Sequence, residues 1–154
     1  MGVLLAAVVD RPLDLDAHLR LVQGAGTGAV ASFVGRIRNH DPEAHGEVTA
    51  IDYTHHPDAG AILARLASDV LVELDPDGDA DVAVSHRVGR LGVGDLALVA
   101  CVGTAHRALA FAVCEALVER VKRDLPIWKQ QFEADGREVW SHLALPPTTR
   151  GDAG

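Results

Sequence analysis

The sequence predicts an α/β (α+β) fold in one domain, and three observations carry that prediction. Apolar, strand-like runs alternate along the chain with segments of helical periodicity. At 154 residues and 48% hydrophobic, the chain can bury about two-thirds of its unfolded surface around a single core. No internal repeat or linker divides it, so residues 1–145 are read as one domain. The final stretch, PPTTRGDAG at 146–154, has the composition of a disordered tail.

The elements follow in order. Val3–Val9 reads as a buried strand. Asp14 suits the N-cap of a short helix over Leu15–Gln23, with Leu15, Leu19 and Val22 on one face. Gly24, Gly26 and Gly28 make a turn, and Ala29–Arg38 reads as a strand. Alternation along it projects Arg36 and Arg38 together, with Phe33, Gly35 and Ile37 facing the other way. Asn39–Gly46 (NHDPEAHG) is a polar loop and Val48–His55 a strand. Pro57 suits the first turn of a helix running to about Leu74, with Ile62, Leu66, Val70 and Leu74 as its apolar face. DPDGDAD at Asp75–Asp81 is a turn. Strands at about Val82–Val88 and Leu96–Gly103 flank a glycine-punctuated connection, Gly89–Asp95. A long helix over about Ala105–Asp124, capped by Thr104, docks through Leu109, Val113, Ala116 and Leu117. Pro126 stops it, and Ile127–Phe132 and Glu138–Leu143 read as short strands around Asp135-Gly136.

The net charge of -8 argues against broad nucleic-acid binding, which relies on a basic surface, and leaves any anion site to a local cluster. Cys101 and Cys114 lie in apolar runs, make no disulfide framework and fit a reducing compartment. The Val3–Val9 run lacks a basic flank and is too short for a signal peptide or a membrane span. The expectation is a soluble, cytoplasmic protein.

Positive charge is distributed unevenly. The chain has twelve arginines and only two lysines, Lys122 and Lys129, which flank Pro126-Ile127-Trp128. A guanidinium stays protonated, whereas a desolvated amine can lose its proton and act as base, acid or nucleophile. The pair therefore marks a candidate site for amine chemistry; the alternative is two surface lysines left by an arginine-biased composition. Arg36 and Arg38, at a strand end beside a polar loop, suit an anionic substrate, or else bridge to local acids. His106 and Arg107 fall in the first turn of the long helix. Free N–H groups, the helix dipole and a guanidinium make a phosphate or carboxylate site there. Otherwise His106 caps the turn and Arg107 pairs with a carboxylate. His86-Arg87 and Arg90 add charge near a turn and equally serve the fold.

Other constellations are discounted. His40, His45, His55 and His56 include no pair at metal-ligand spacing, so no metal and no cofactor are expected. The glycines at 24, 26 and 28 do not open a helix and are no dinucleotide fingerprint. Neither cysteine has an obvious basic partner that would make it a nucleophile.

Four segments, SFVGRIRNH (Ser32–His40), SHRVGRLGVGD (Ser85–Asp95), TAHRALAF (Thr104–Phe111) and KRDLPIWKQQ (Lys122–Gln131), occur in that order. Together they closely resemble the large, catalytic subunit of molybdopterin synthase, over nearly the whole chain from about Val3 to Leu143. The resemblance implies an α/β hammerhead-type fold with an added small β subdomain, and a sulfurtransferase that converts cyclic pyranopterin monophosphate into the dithiolene molybdopterin. It implies a homodimer that binds two copies of a small ubiquitin-like sulfur-carrier subunit with a C-terminal Gly-Gly thiocarboxylate, giving a heterotetramer. Carried over residue by residue, it assigns substrate binding to Arg36, Ile37, Arg38, His106, Arg107, Lys122, Lys129, Gln130 and Gln131. Catalysis falls to Lys122, beside the thiocarboxylate, and Lys129, for proton transfer or phosphate-ring opening.

Two departures matter. The family often has a basic residue and a glutamate after the second lysine, where this chain has Gln130 and Gln131; hydrogen bonding survives that change and a carboxylate role does not. A segment often reading Tyr-Glu is here Tyr53-Thr54. Competing readings are a non-catalytic dimeric module that binds an anionic metabolite, and a relative that kept the fold and lost activity. Helix geometry adds a constraint. Arg107 and Lys122 are fifteen residues apart, roughly 22 Å along a helix rising about 1.5 Å per residue. One small substrate reaches both only if His106 and Arg107 of one protomer meet Lys122, Lys129 and Arg38 of the other.

Overall fold

Two four-stranded sheets and three helices make up the mixed α+β architecture of the described residues. The computed structural model describes residues 2–42 and 44–142, so the predicted tail and the Leu143 end of the last strand lie outside the described residues. In chain order the elements are β1 (Gly2–Val9), α1 (Leu15–Val22), β2 (Ala29–Arg36), β3 (Val48–His55), α2 (Ala59–Leu74), β4 (Asp81–Arg87), β5 (Gly89–Gly92), β6 (Leu96–Thr104), α3 (Arg107–Asp124), β7 (Ile127–Glu133) and β8 (Glu138–His142).

The first sheet has the order β1-β4-β6-β2, with β1 and β4 parallel and the other pairs antiparallel. Its central strand β6 carries an unbroken apolar run, Leu96–Val102, and the neighbouring β4 the shorter run Val82–Val84, because both faces are covered. Val82, Val84, Ala100 and Val102 join the main core with α2 and α3, while Ala83, Val99 and Cys101 pack with Val22 beneath α1 on the other face. Asp14 caps α1 as predicted, accepting from Ala17 N at 3.1 Å. The imidazole of His18 is buried and bonded to Ser85 Oγ at 2.8 Å and to the carbonyl of Asp14 at 2.6 Å. This Ser–His pair ties α1 to β4 and lines none of the cavities described below.

The second sheet has the order β5-β3-β7-β8 and is antiparallel throughout. Its β5 corrects the reading of Gly89–Asp95 as a plain connection: Gly89–Gly92 pairs with Ala50–Tyr53, and the turn is confined to the following residues. The cue was hidden because four residues, two of them glycine, carry no periodicity.

Three boundaries also move. Helix α2 begins at Ala59, because His56–Asp58 closes a turn first, with Asp58 N bonded to His56 Nδ1 and Ala59 N to the His56 carbonyl. Its buried face is Ala59, Leu63, Leu66, Ala67 and Val70; Ile62 is half-buried and Leu74 is exposed. A strict four-residue spacing drifts on a 3.6-residue helix, by about 120° between positions 62 and 74. Helix α3 begins at Arg107 with His106 at the N-cap, not Thr104. Thr104 stays in β6, paired with Ala29, and its hydroxyl donates to the His106 carbonyl at 2.6 Å. Strand β2 ends at Arg36, after a register shift between Gly35 and Arg36. Among the described residues no helix is long and apolar enough to cross a membrane.

Candidate functional site

A cavity of about 360 Å³ opens where the end of β2, the last turn of α3 and one face of the second sheet converge. Register explains the sheet's contribution. Lys129 pairs with Tyr53 and Gln131 with Ile51 across β7 and β3, and directly paired residues share a face. All four line the cavity. Gln130, one position out of phase, points to the opposite face, where its amide bonds the Glu138 carboxylate. Helix α3 delivers Lys122 on its last turn, and Leu125-Pro126 then redirects the chain into β7, so both lysines reach one cavity from different elements.

Arg36, Ile37 and Arg38 complete the basic wall. Ile37 is buried between two exposed arginines, as alternation predicts, but Phe33, Gly35 and Ile37 line this cavity too rather than facing away from it. A register shift between Gly35 and Arg36 interrupts the strict alternation just before this stretch. Bonds from Ile37 N to the Asp95 carbonyl and from Gly94 N to the Ile37 carbonyl hold this end of the chain beside the turn after β5.

The charges in the cavity are not equivalent. Much of the Lys122 side chain is accessible, yet its amine lies 5.9 Å from the Phe33 ring centre and its pKa is below the ordinary lysine value. Desolvation is the main cause, the charge of Lys129 the second; Arg38 adds to the effect and Glu119 opposes it. Lys129 is largely buried and lies 3.4 Å from Asp41 Oδ2. Tyr53 and His86 meet edge to face, with ring centres 5.1 Å apart. Burial, and then the charge of Asp41, pushes the Tyr53 phenol up to about 12. Burial also lowers His86 to about 4, against the effect of its bond to the Arg87 carbonyl at 2.7 Å. That bond requires hydrogen on Nδ1, so Nε2 of the neutral ring is an acceptor. Gln131 is fully buried, and neither its amide nitrogen nor its oxygen has a hydrogen-bond partner within the protein. A buried amide without partners is costly unless a ligand or water satisfies it.

Six of the nine residues assigned from the sequence therefore converge: Arg36, Ile37, Arg38, Lys122, Lys129 and Gln131. Gln130, His106 and Arg107 do not. His106 and Arg107 are exposed at the opposite end of α3 from Lys122. Sequence reasoning missed Asp41, Tyr53 and His86 as cavity residues, because tertiary arrangement brings them in: the path of the β2–β3 loop for Asp41, the β3–β7 register for Tyr53, and the end of β4 in the other sheet for His86. The other basic residues near the turn serve the fold: Arg87 pairs with Asp95 at 3.5 Å, and Arg90 lies over Phe132, 4.4 Å from the ring centre. Both cysteine thiols are raised by burial, Cys101 to about 11, so neither is a thiolate at neutral pH. Among the described residues no group of three or more His, Cys, Asp or Glu side chains is placed to hold a metal ion.

An apolar groove adjoins the cavity and shares Phe33 with it. It runs between β2 and α3 and is lined by Ala31, Phe111, Cys114 and Val118 among others. Phe111 is largely exposed there.

The chain is similar to known proteins in both sequence and fold. The family model described as "MoaE protein" matches residues 8–124. The molybdopterin synthase catalytic subunit 1 of Mycobacterium tuberculosis is 35% identical over 131 residues, covering 85% of this chain and 86% of that protein. The crystal structure of molybdopterin synthase from Staphylococcus aureus superposes with a TM-score of 0.78 at 25% identity, covering 87% of this chain and 94% of that one. A complex of subunits 1 and 2 of the molybdopterin-converting factor from Helicobacter pylori shares the fold, with a TM-score of 0.68 at 18% identity over 88% of this chain and 90% of that one. With the family model matched over most of its length, the chain belongs to the MoaE family, the molybdopterin synthase catalytic subunits.

Proposed function

We propose that this chain is the catalytic subunit of a molybdopterin synthase and acts as a sulfurtransferase on cyclic pyranopterin monophosphate. One observation carries the site assignment: the only two amines among its side chains meet in one cavity with Arg36, Arg38 and a buried, unsatisfied amide. The arginines suit the cyclic phosphate. The Gln131 amide and the Nε2 acceptor of His86 suit the polar edge of a flat heterocycle. In each of two transfers the sulfur of a donor thiocarboxylate bonds to an oxygen-bearing side-chain carbon of the pterin. The C–O bond there breaks, its oxygen leaving as water or as the opened end of the phosphate ring, and a thioester results. Water then attacks the acyl carbon, releasing the donor's C-terminal carboxylate and leaving sulfur on the pterin. Each tetrahedral stage carries negative charge that a nearby ammonium stabilises. Lys122, more readily deprotonated than an ordinary lysine, is the residue beside the thiocarboxylate. Lys129 serves proton transfer or opening of the phosphate ring.

The donor is the C-terminal tail of a small sulfur-carrier subunit. The groove along Phe33, Phe111 and Val118 supports this, since it adjoins the cavity at Phe33 and suits an extended tail that ends in small residues. The two-subunit Helicobacter pylori complex supports the same partnership. A homodimer within a heterotetramer follows from His106 and Arg107, which belong to the site by family resemblance yet stand at the far end of α3. The test combines the purified chain with a thiocarboxylated small subunit and cyclic pyranopterin monophosphate. Dithiolene formation is the expected result. Substrate binding without turnover would instead favour the non-catalytic module or an inactive relative.

A further inference from the structure

We infer that Asp41 is a positioning residue for Lys129: its carboxylate, carried by the β2–β3 loop, fixes the amine at the cavity wall until an anionic part of the substrate takes its place. The inference rests on the reading of this cavity as the sulfur-transfer site. Asp41 Oδ2 lies 3.4 Å from Lys129 Nζ, with only 13% and 19% of the two side chains exposed. Exposed pairs of this kind contribute little, but a pair this enclosed holds its geometry and is costly to break from one side.

The loop is built to keep Asp41 in place. Val48 N bonds the Asn39 carbonyl at 2.9 Å, Ala44 N bonds the Asp41 carbonyl at 2.9 Å, and His45 N bonds Glu133 Oε1 at 3.2 Å. Glu133 belongs to β7, the strand that carries Lys129, so the loop and the lysine are held on one element. Asp41 also acts on Tyr53, whose phenol its charge helps to raise.

Charge excludes the simplest alternative, direct substrate binding. Among the described residues lining the cavity, Asp41 supplies the only carboxylate, beside Arg36, Arg38, Lys122 and Lys129. A carboxylate opposes an incoming phosphate, so its contribution to an anion site comes through the cation it orients.

The test is steady-state sulfur transfer by Asp41→Asn and Asp41→Glu with the thiocarboxylated partner, alongside Lys129→Met. Asp41→Asn is expected to lower kcat by about tenfold to a hundredfold, the scale of a misplaced catalytic group. KM for the pyranopterin should stay level or fall, because an opposing charge is gone. Asp41→Glu should recover most of the loss. A readout independent of turnover comes from Tyr53, the only tyrosine in the chain. Its phenolate absorbance should titrate at lower pH in Asp41→Asn than in the wild type. Wild-type kcat and KM in Asp41→Asn, or a raised KM at unchanged kcat, would overturn the inference while Lys129→Met remains inactive. Full activity in Lys129→Met would instead remove the sulfur-transfer reading itself, and the inference with it.

Discussion

Lys122 and Lys129 share a cavity but not an environment. Lys129 faces a carboxylate, whereas Lys122 faces an aromatic ring and a second ammonium, so the structure favours losing the proton of Lys122. The same wall keeps His86 neutral. With a folded value of about 4 against an ordinary 6.5, the unfolded chain binds the extra proton first as pH falls. The contribution of His86 to stability is therefore complete above pH 6.5 and is lost progressively down to about pH 4, up to roughly 3 kcal/mol in all. Denaturant melts of the wild type and His86→Gln between pH 7 and pH 4 should converge across that window, since the variant has no such proton to bind. Parallel curves would show that His86 is not held neutral. Neither the pairing of Asp41 with Lys129 nor the neutrality of His86 was legible in the sequence, because both depend on groups brought together from distant positions.

At the scale of elements, close approach explains why α1 and the glycine turn sit where they do. A Cβ on Gly103 would lie 2.0 Å from the Val22 carbonyl oxygen, and one on Gly28 would lie 2.4 Å from that of Ala105. Both obstacles are backbone, which cannot swing aside as a side chain can. Gly103→Ala should cost about 1–3 kcal/mol or more by forcing the end of α1 off β6, measured by thermal or denaturant unfolding. Unchanged stability would mean that α1 is not packed as described. Most elements were legible because their signals are local: the Asp14 cap, the unbroken apolar run of β6 and Pro126 after α3 each need only neighbouring residues. The failures came where tertiary pairing decided. β5 exists because β3 offers it an edge, and Thr104 remains a strand residue because Ala29 pairs with it. Gln130 left the site for the same reason. The sequence places it beside two site residues, and strand alternation turns it to the other face.

For the whole molecule, the proposed function requires residues at both ends of α3 to serve one substrate. The helix runs unbroken from Arg107 to Asp124, so the separation of about 22 Å between Arg107 and Lys122 stands. Under the proposed function, a two-fold dimer would bring them together between protomers. Mixing Arg107→Ala with Lys122→Ala and allowing exchange should restore activity, because each mixed dimer holds one intact site and one doubly damaged site. A mixture that stays inactive after proven exchange would confine the site to one protomer.

Amine chemistry in the cavity is isolated by Lys122→Arg, which keeps the charge while removing an amine that can lose its proton. The decisive measurement is dithiolene formation by this variant, with the thiocarboxylated partner and cyclic pyranopterin monophosphate, beside partner binding by the same protein. The predicted result is no detectable dithiolene with partner binding intact, and severe impairment in the matching Lys129→Arg. Near-normal turnover in both variants would contradict the account.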